Sequence, residues 1–205
     1  MRSLSEARKM AVMHPGKGEE INSFALVSYI PGPLGLYLDR LRGELVPCGY
    51  ARAHVTVLPP RPLAYPPDDA WAEMRLPLQE AAPLLLETTQ VEVFPLTHVI
   101  YLAIGKGFND LKNLHQRLNR SKTYFDEPFQ FHPHITLAQD LSEDQVEPAM
   151  DLARRRLAEC PCDRTIAVRS LVFVESRFFP ESGCNQWVDR AECTLGIHQP
   201  TGARD

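Results

Sequence analysis

His54-Val55-Thr56-Val57-Leu58 and Pro133-His134-Ile135-Thr136-Leu137-Ala138 are the two segments from which the rest of the chain can be read. Each is short, apolar and rich in β-branched residues, which is the composition of a strand. Residues two apart on a strand share a face. His54 therefore projects with Thr56, and His134 with Thr136, while Val55, Val57, Ile135 and Leu137 turn the other way toward a core. One His-x-Thr pattern arises easily by chance, and a lone histidine on a strand is usually structural or at the surface. Two copies, one in each half of the chain, form a weak internal echo and are better evidence than one.

Working outward from the first motif, Phe24–Ile30 reads as a strand closed by Pro31-Gly32-Pro33, and Leu34–Leu45 as a helix. The motif strand itself is expected to stop at Pro59-Pro60. Asp68-Asp69 precede a helical stretch at Ala70–Leu76, and Pro77 and Pro83 leave the region up to Leu86 without a clear period. Gln90–Leu96 and Val99–Ile104 form a hairpin about Thr97-His98. Phe108–Leu118 has apolar residues at helical spacing. Phe131–Leu137 is the second motif strand, and Ser142 caps a helix reaching Leu157. Thr165–Val174 and Gln186–Leu195 close the chain as strands. Hairpins mixed with crossovers make the fold class α+β, with helices packed outside largely antiparallel sheets.

The bulk properties narrow the function. The chain has 205 residues, a formal charge of −4, 44% hydrophobic and 23% charged residues. It lacks the basic excess of a protein that grips long nucleic acid, and no apolar run is long enough for a transmembrane helix. Residues 1–22 read as a polar tail or extension without a secretory signal, and 197–205 as a second tail, bracketing a single folded domain at 23–196. An odd count of five cysteines fits reduced thiols and a cytoplasmic location. Cys160-Pro161-Cys162 has too few partners for a zinc site.

The arrangement of the motifs matches the needs of phosphodiester cleavage. An imidazole moves a proton near neutral pH. A hydroxyl on the same face donates a hydrogen bond to a non-bridging phosphate oxygen. Two facing strands supply two of each: His54 and His134 for proton transfer, Thr56 and Thr136 for the phosphate. No metal or cofactor is called for. If the strands extend outward, Arg52 and His132 share the catalytic face, and Trp187 offers a stacking surface. Arg61 and Arg177 are weaker candidates. His115, near Arg117 and Arg120, reads as part of a solvated helix face.

Both motifs, with Phe94, Val99–Ile104, the Phe108–Leu118 helix, Arg169–Ser176, Gly183 and Trp187, resemble the two-histidine (2H) phosphoesterase superfamily over about residues 23–196. That superfamily includes the 2′-5′ RNA ligase-like proteins and the RNA 2′,3′-cyclic phosphodiesterases. The resemblance implies two lobes with pseudo-twofold symmetry about a cleft, metal-free catalysis, His134 as base and His54 as acid. It implies a cyclic phosphate or 2′-5′ phosphodiester substrate on a nucleotide or RNA end; no stable protein partner and no membrane are expected. Two features depart from it: Gln139 stands where many members carry arginine, and Leu58-Pro-Pro-Arg-Pro62 where aromatic and glycine residues are common. The alternatives are a silent nucleotide-binding or regulatory module, and a nuclease for cyclic oligonucleotide signals.

Overall fold

A computed structural model of the protein describes residues 23–46, 52–179 and 184–196, with the backbone alone at 178, 179, 184 and 185. Both expected tails lie outside the described residues. In chain order the elements are β1 (Ser23–Tyr29), α1 (Gly32–Leu45), β2 (His54–Arg61), α2 (Pro67–Glu80), β3 (Leu84–Val93), β4 (Ile100–Ile104), α3 (Phe108–Leu118), a 3-10 turn (Ser121–Thr123), β5 (His134–Ala138), α4 (Glu143–Glu159), β6 (Thr165–Val168), β7 (Ser170–Phe179) and β8 (Cys184–Thr194). They form two four-stranded sheets, ordered β2-β1-β7-β8 and β5-β4-β3-β6, with every pairing antiparallel. The sheets match in plan. Each puts its His-x-Thr strand at one edge and pairs it with a strand from its own half of the chain, the α+β pseudo-twofold that the sequence leads one to expect.

The alternation within the motif strands decides which face is dry. Val55, Val57, Ile135 and Leu137 are buried in one continuous core with Leu34 and Leu38 of α1, Met74 and Leu78 of α2, Leu111 and Leu114 of α3, and Leu157 of α4. The helices thus cover the faces away from the motif side chains. On the opposite face of the first sheet, Ala25, Val27, Val172 and Val174 form a small apolar floor with Tyr29 and Trp187 against it. Val27 pairs with Thr56 and Tyr29 with His54, so this floor and the motif residues look the same way. Burying such apolar surface stabilises by about 25 cal/mol per Å².

Helix α1 sits unusually close to β1: a Cβ at Gly35 would lie 2.0 Å from the Ile30 carbonyl oxygen. Only glycine admits that approach. The start of β2 is tied to the same helix, because the Ala53 N–H donates to Asp39 Oδ1 at 2.5 Å, and the Ile30 N–H donates to the Ala53 carbonyl at 2.9 Å. Strand β1, helix α1 and the His54 strand are therefore one rigid unit.

Several boundaries differ from expectation: the strand read as Gln90–Leu96 ends at Val93, the second motif strand begins at His134 and not at Phe131, and four differences bear on the packing. β2 does not stop at Pro59-Pro60 but continues to Arg61. It is an edge strand with a register shift against β1, and such a strand tolerates residues that cannot donate to the ladder. α2 begins earlier and runs through Pro77 to Glu80. Its buried stripe of Ala70, Met74 and Leu78 spans the proline, and packing outweighs the lost bond. The stretch at 84–86 is the start of β3, whose Leu84–Glu87 pairs with β6 before its later residues pair with β4. Finally, Thr165–Val174 is two strands. β6 belongs to one sheet and β7 to the other, with the break at Arg169.

Candidate active site

β2 and β5 bring the two motifs to one cleft. His54, Thr56, His134 and Thr136 all line a cavity of about 770 Å³, and all four are half-buried. The imidazoles are held in the same manner. His54 Nδ1 lies 2.7 Å from the Arg52 carbonyl oxygen, and His134 Nδ1 lies 2.6 Å from the His132 carbonyl oxygen. A carbonyl only accepts, so Nδ1 carries the hydrogen in both rings. The neutral tautomer is fixed, and Nε2 is left as the proton-exchanging atom. Each histidine is thus oriented by the backbone two residues before it.

The surroundings of the two rings also correspond. Trp187 packs tilted against His54 at 4.8 Å between ring centroids, and Tyr29 lies edge-on at 6.5 Å. Phe94 and Tyr101 stand edge-on to His134 at 5.1 and 5.3 Å. In each sheet the tyrosine hydroxyl donates to a carboxylate: Tyr29 to Asp189 Oδ1 at 2.5 Å, Tyr101 to Glu92 Oε2 at 2.7 Å. Burial, then those carboxylates, push both tyrosines up to about 12. Bonds from Gln90 and Tyr101 hold Glu92 below the usual carboxylate range. The tyrosines therefore stay protonated and act as braces, not as acids.

Burial works against charge on both histidines. It drives His54 down to about 4, with the Arg42 guanidinium and His134 adding to the effect and the Arg52 carbonyl opposing it. His134 is lowered by burial, opposed by its bond to the His132 carbonyl. Without a bound anion, both imidazoles therefore favour the neutral form.

The weaker candidates divide. His132 lines the cleft, boxed by Phe94, Tyr101 and Phe108, and Trp187 lines it beside His54. Arg52 does not. Its guanidinium lies over the Tyr29 ring at 3.8 Å and pairs with Asp189 at 3.6 Å, in a separate polar hollow with Ser170 and Arg190. It joins the His54 site only through its carbonyl. Arg177 pairs with Glu175 at 3.0 Å. Arg61 is 2% exposed and lies away from solvent in a network with Glu127. His115 is no part of a solvated face: it is 7% exposed, stacks on Phe131, and its Nδ1–H donates to the Val57 carbonyl at 2.8 Å. Its place on the stripe Leu111, Leu114, His115, Leu118 is why it is buried.

Sequence reasoning missed Arg42, which is 5% exposed in the last turn of α1 and lines the cleft. The signal was available. Arg42 falls on the buried stripe Leu34, Leu38, Arg42, and a cation on an apolar stripe calls for a reason. The aromatic rim formed by Phe125, Phe129 and Phe131 was missed as well, since nothing local marks that loop as a cleft wall. Among the described residues no group of three His, Cys, Asp or Glu is placed to hold a metal ion, and no helix is long and apolar enough to cross a membrane.

Comparison with known proteins places this geometry. Crystal structures of Escherichia coli LigT with phosphate and with 3′-AMP superimpose with TM-scores of 0.59 and 0.60, each at 17% identity over 86% of this chain and 99% of that one. TT0787 of Thermus thermophilus gives 0.55 at 12% identity, over 86% of this chain and 100% of the other. At these identities the likeness is one of fold. "Putative phosphoesterase OB1230" of Oceanobacillus iheyensis is 34% identical over 74 residues, a stretch that spans 36% of this chain and 43% of that protein. The family model of the 2′-5′ RNA ligase superfamily matches residues 32–174, which run from the start of α1 through both motifs into β7. The chain belongs to that superfamily, and with it to the two-histidine phosphoesterases.

Proposed function

We propose that the protein is a metal-independent phosphodiesterase that opens a cyclic phosphate or a 2′-5′ phosphodiester of a nucleotide or RNA end. One observation carries the reading. Two imidazoles, each locked with Nδ1–H on a carbonyl and Nε2 available, share one cleft with two threonine hydroxyls. Nε2 of His134 takes a proton from water as its oxygen bonds to phosphorus. Nε2–H of His54 gives a proton to the oxygen that leaves as the P–O bond breaks. Thr56 and Thr136 donate to the non-bridging oxygens, where charge accumulates. The aromatic side chains Trp187, Phe94 and Phe129 give a base a surface to stack on. The LigT crystals with phosphate and 3′-AMP support a ligand of this kind.

The test is turnover of a panel with EDTA present: 2′,3′-cyclic nucleotides, a 2′-5′ dinucleotide, ADP-ribose 1″,2″-cyclic phosphate and cyclic oligonucleotides. Hydrolysis of at least one, abolished in His54→Ala, is expected. Binding without turnover of any member would make the protein a nucleotide-binding module instead.

The depressed histidines give a second expectation. Turnover needs one protonated imidazole, yet in the free protein both titrate below their ordinary value near 6.5. Protonation, and with it kcat/KM, is therefore lost as pH rises from a point below that value. A bound phosphate anion raises the acid's affinity for its proton. The basic limb of kcat should accordingly lie at higher pH than the basic limb of kcat/KM, both describing the pair jointly. Limbs that coincide across the full range would mean that substrate does not load the acid.

A further inference from the structure

Arg42 lies outside both motifs, yet it shares their cleft. It faces inward from α1 in the same rigid unit as β2, beside His54. The other side chains of fixed charge lining the cleft are acidic, Glu127 and Asp140. Arg61 engages Glu127 from behind. Among the described lining residues Arg42 is therefore the one permanent cation. A cleft that binds a phosphate without a metal needs positive charge, and the guanidinium fork matches two phosphate oxygens. Gln139, on the opposite lobe, lines the same cleft with a neutral amide.

Resting on the phosphodiesterase reading above, we infer that Arg42 is a phosphate-binding residue whose guanidinium holds the non-bridging oxygens of the substrate from the α1 side of the cleft. This deepens the role of the site, because the same charge acts on His54. Arg42 helps keep that ring neutral while the cleft is empty. A phosphate seated on Arg42 cancels the cation and sets an anion beside the imidazole, so binding draws a proton onto His54. The other groups facing that ring do not replace this effect. Asp39 of α1 acts in the opposite sense but is taken up by the Ala53 N–H. His134 of β5 acts in the same sense but less than Arg42, and Tyr29 of β1 stays protonated. Arg52 turns its charge to Asp189 of β8.

The experiment compares wild type, Arg42→Gln, Arg42→Lys and Arg42→Gln/Gln139→Arg, with inorganic phosphate as competitive inhibitor of cyclic phosphate hydrolysis. Losing one charge-assisted contact should weaken phosphate at least ~10-fold in Arg42→Gln. Lysine, which keeps the charge without the fork, should fall between. The arginine introduced on the opposite wall should recover part of the loss. In parallel, the His54 imidazole signals in the empty Arg42→Gln protein should titrate at higher pH than in wild type, which a merely structural arginine would not produce. If Arg42→Gln does not fold, by circular dichroism, Arg42→Lys decides: inhibition by phosphate as strong as in wild type, with the fork gone and the charge kept, overturns the inference. Wild-type inhibition in a folded Arg42→Gln overturns it too. In both cases wild-type turnover leaves the phosphodiesterase reading standing; a wild type that neither hydrolyses a diester nor binds phosphate removes both.

Discussion

His54→Ala and His134→Ala should each lower turnover by roughly 10²–10⁴-fold, the amount carried by a positioned acid or base. Neither change should unfold the protein. Both rings are half-buried at the cleft, on strands at the edges of their sheets, so removing them enlarges a cavity that is already open and leaves the continuous core beneath untouched. The two variants should differ when the leaving group changes. A nitrophenolate departs without a proton, so His54→Ala should be much less damaging with it than with an alkoxide leaving group. His134→Ala should hurt both substrates alike, because water still has to lose its proton. Thr56→Ala and Thr136→Ala should cost less than either, since each removes one hydrogen bond. Steady-state rates on the two substrate types are the measurement. Near-normal turnover of the true substrate by His54→Ala would refute paired-histidine catalysis, and a reversed response would exchange the two roles.

What was legible in the sequence follows from the range over which its signals act. The motif strands announced themselves because alternation with a period of two is local: Val55 and Val57 go in, His54 and Thr56 go out. The Phe108–Leu118 helix was equally plain, its buried residues falling at helical spacing. The break at Arg169 shows as a change of phase in the buried residues. Ile166 and Val168 are buried on even positions, but Leu171 is the first buried residue beyond them, so the phase changes where the chain passes from one sheet to the other. The prolines misled in β2 and α2 because their cost is local, whereas the edge position and the Ala70, Met74, Leu78 stripe that offset it are tertiary. The site shows the same division. Its two histidines and two threonines could be paired from sequence. Arg42 shows there only as a cation on an apolar stripe, and Glu92 and the Phe125–Phe131 wall not at all, because nothing in one segment says which other segment it meets.

That wall carries the second large effect. Segment 119–131 has little regular structure, yet it supplies Phe125, Phe129 and Phe131 to the cleft. Arg61, at the end of the His54 strand, holds it down. Its Nε–H donates to the Pro59 carbonyl at 2.9 Å, and its terminal nitrogens donate to Asn119 Oδ1 at 2.7 Å, the Thr123 carbonyl at 3.1 Å and Glu127 Oε1 at 2.5 Å. Asn119 passes the constraint on, accepting from the Phe125 N–H at 2.9 Å and donating to its carbonyl at 3.2 Å. Arg61→Ala removes the partner of a largely buried carboxylate and three further hydrogen bonds. Breaking a pair of this kind typically costs about 3–5 kcal/mol, a large part of the ~5–15 kcal/mol that holds a domain folded. The loss should appear as a lower denaturant midpoint. Arg61→Met combined with Glu127→Leu should be less destabilised than Arg61→Ala alone, because no charge is stranded. Arg61→Ala should also raise KM, since the aromatic wall loosens and Glu127 turns a bare carboxylate toward the cleft proposed to take the phosphate. A loss under ~1 kcal/mol, the range of an exposed ion pair, would show that Arg61 does not clamp the loop, and the wall would then owe its position to the His115–Phe131 stack on α3 instead.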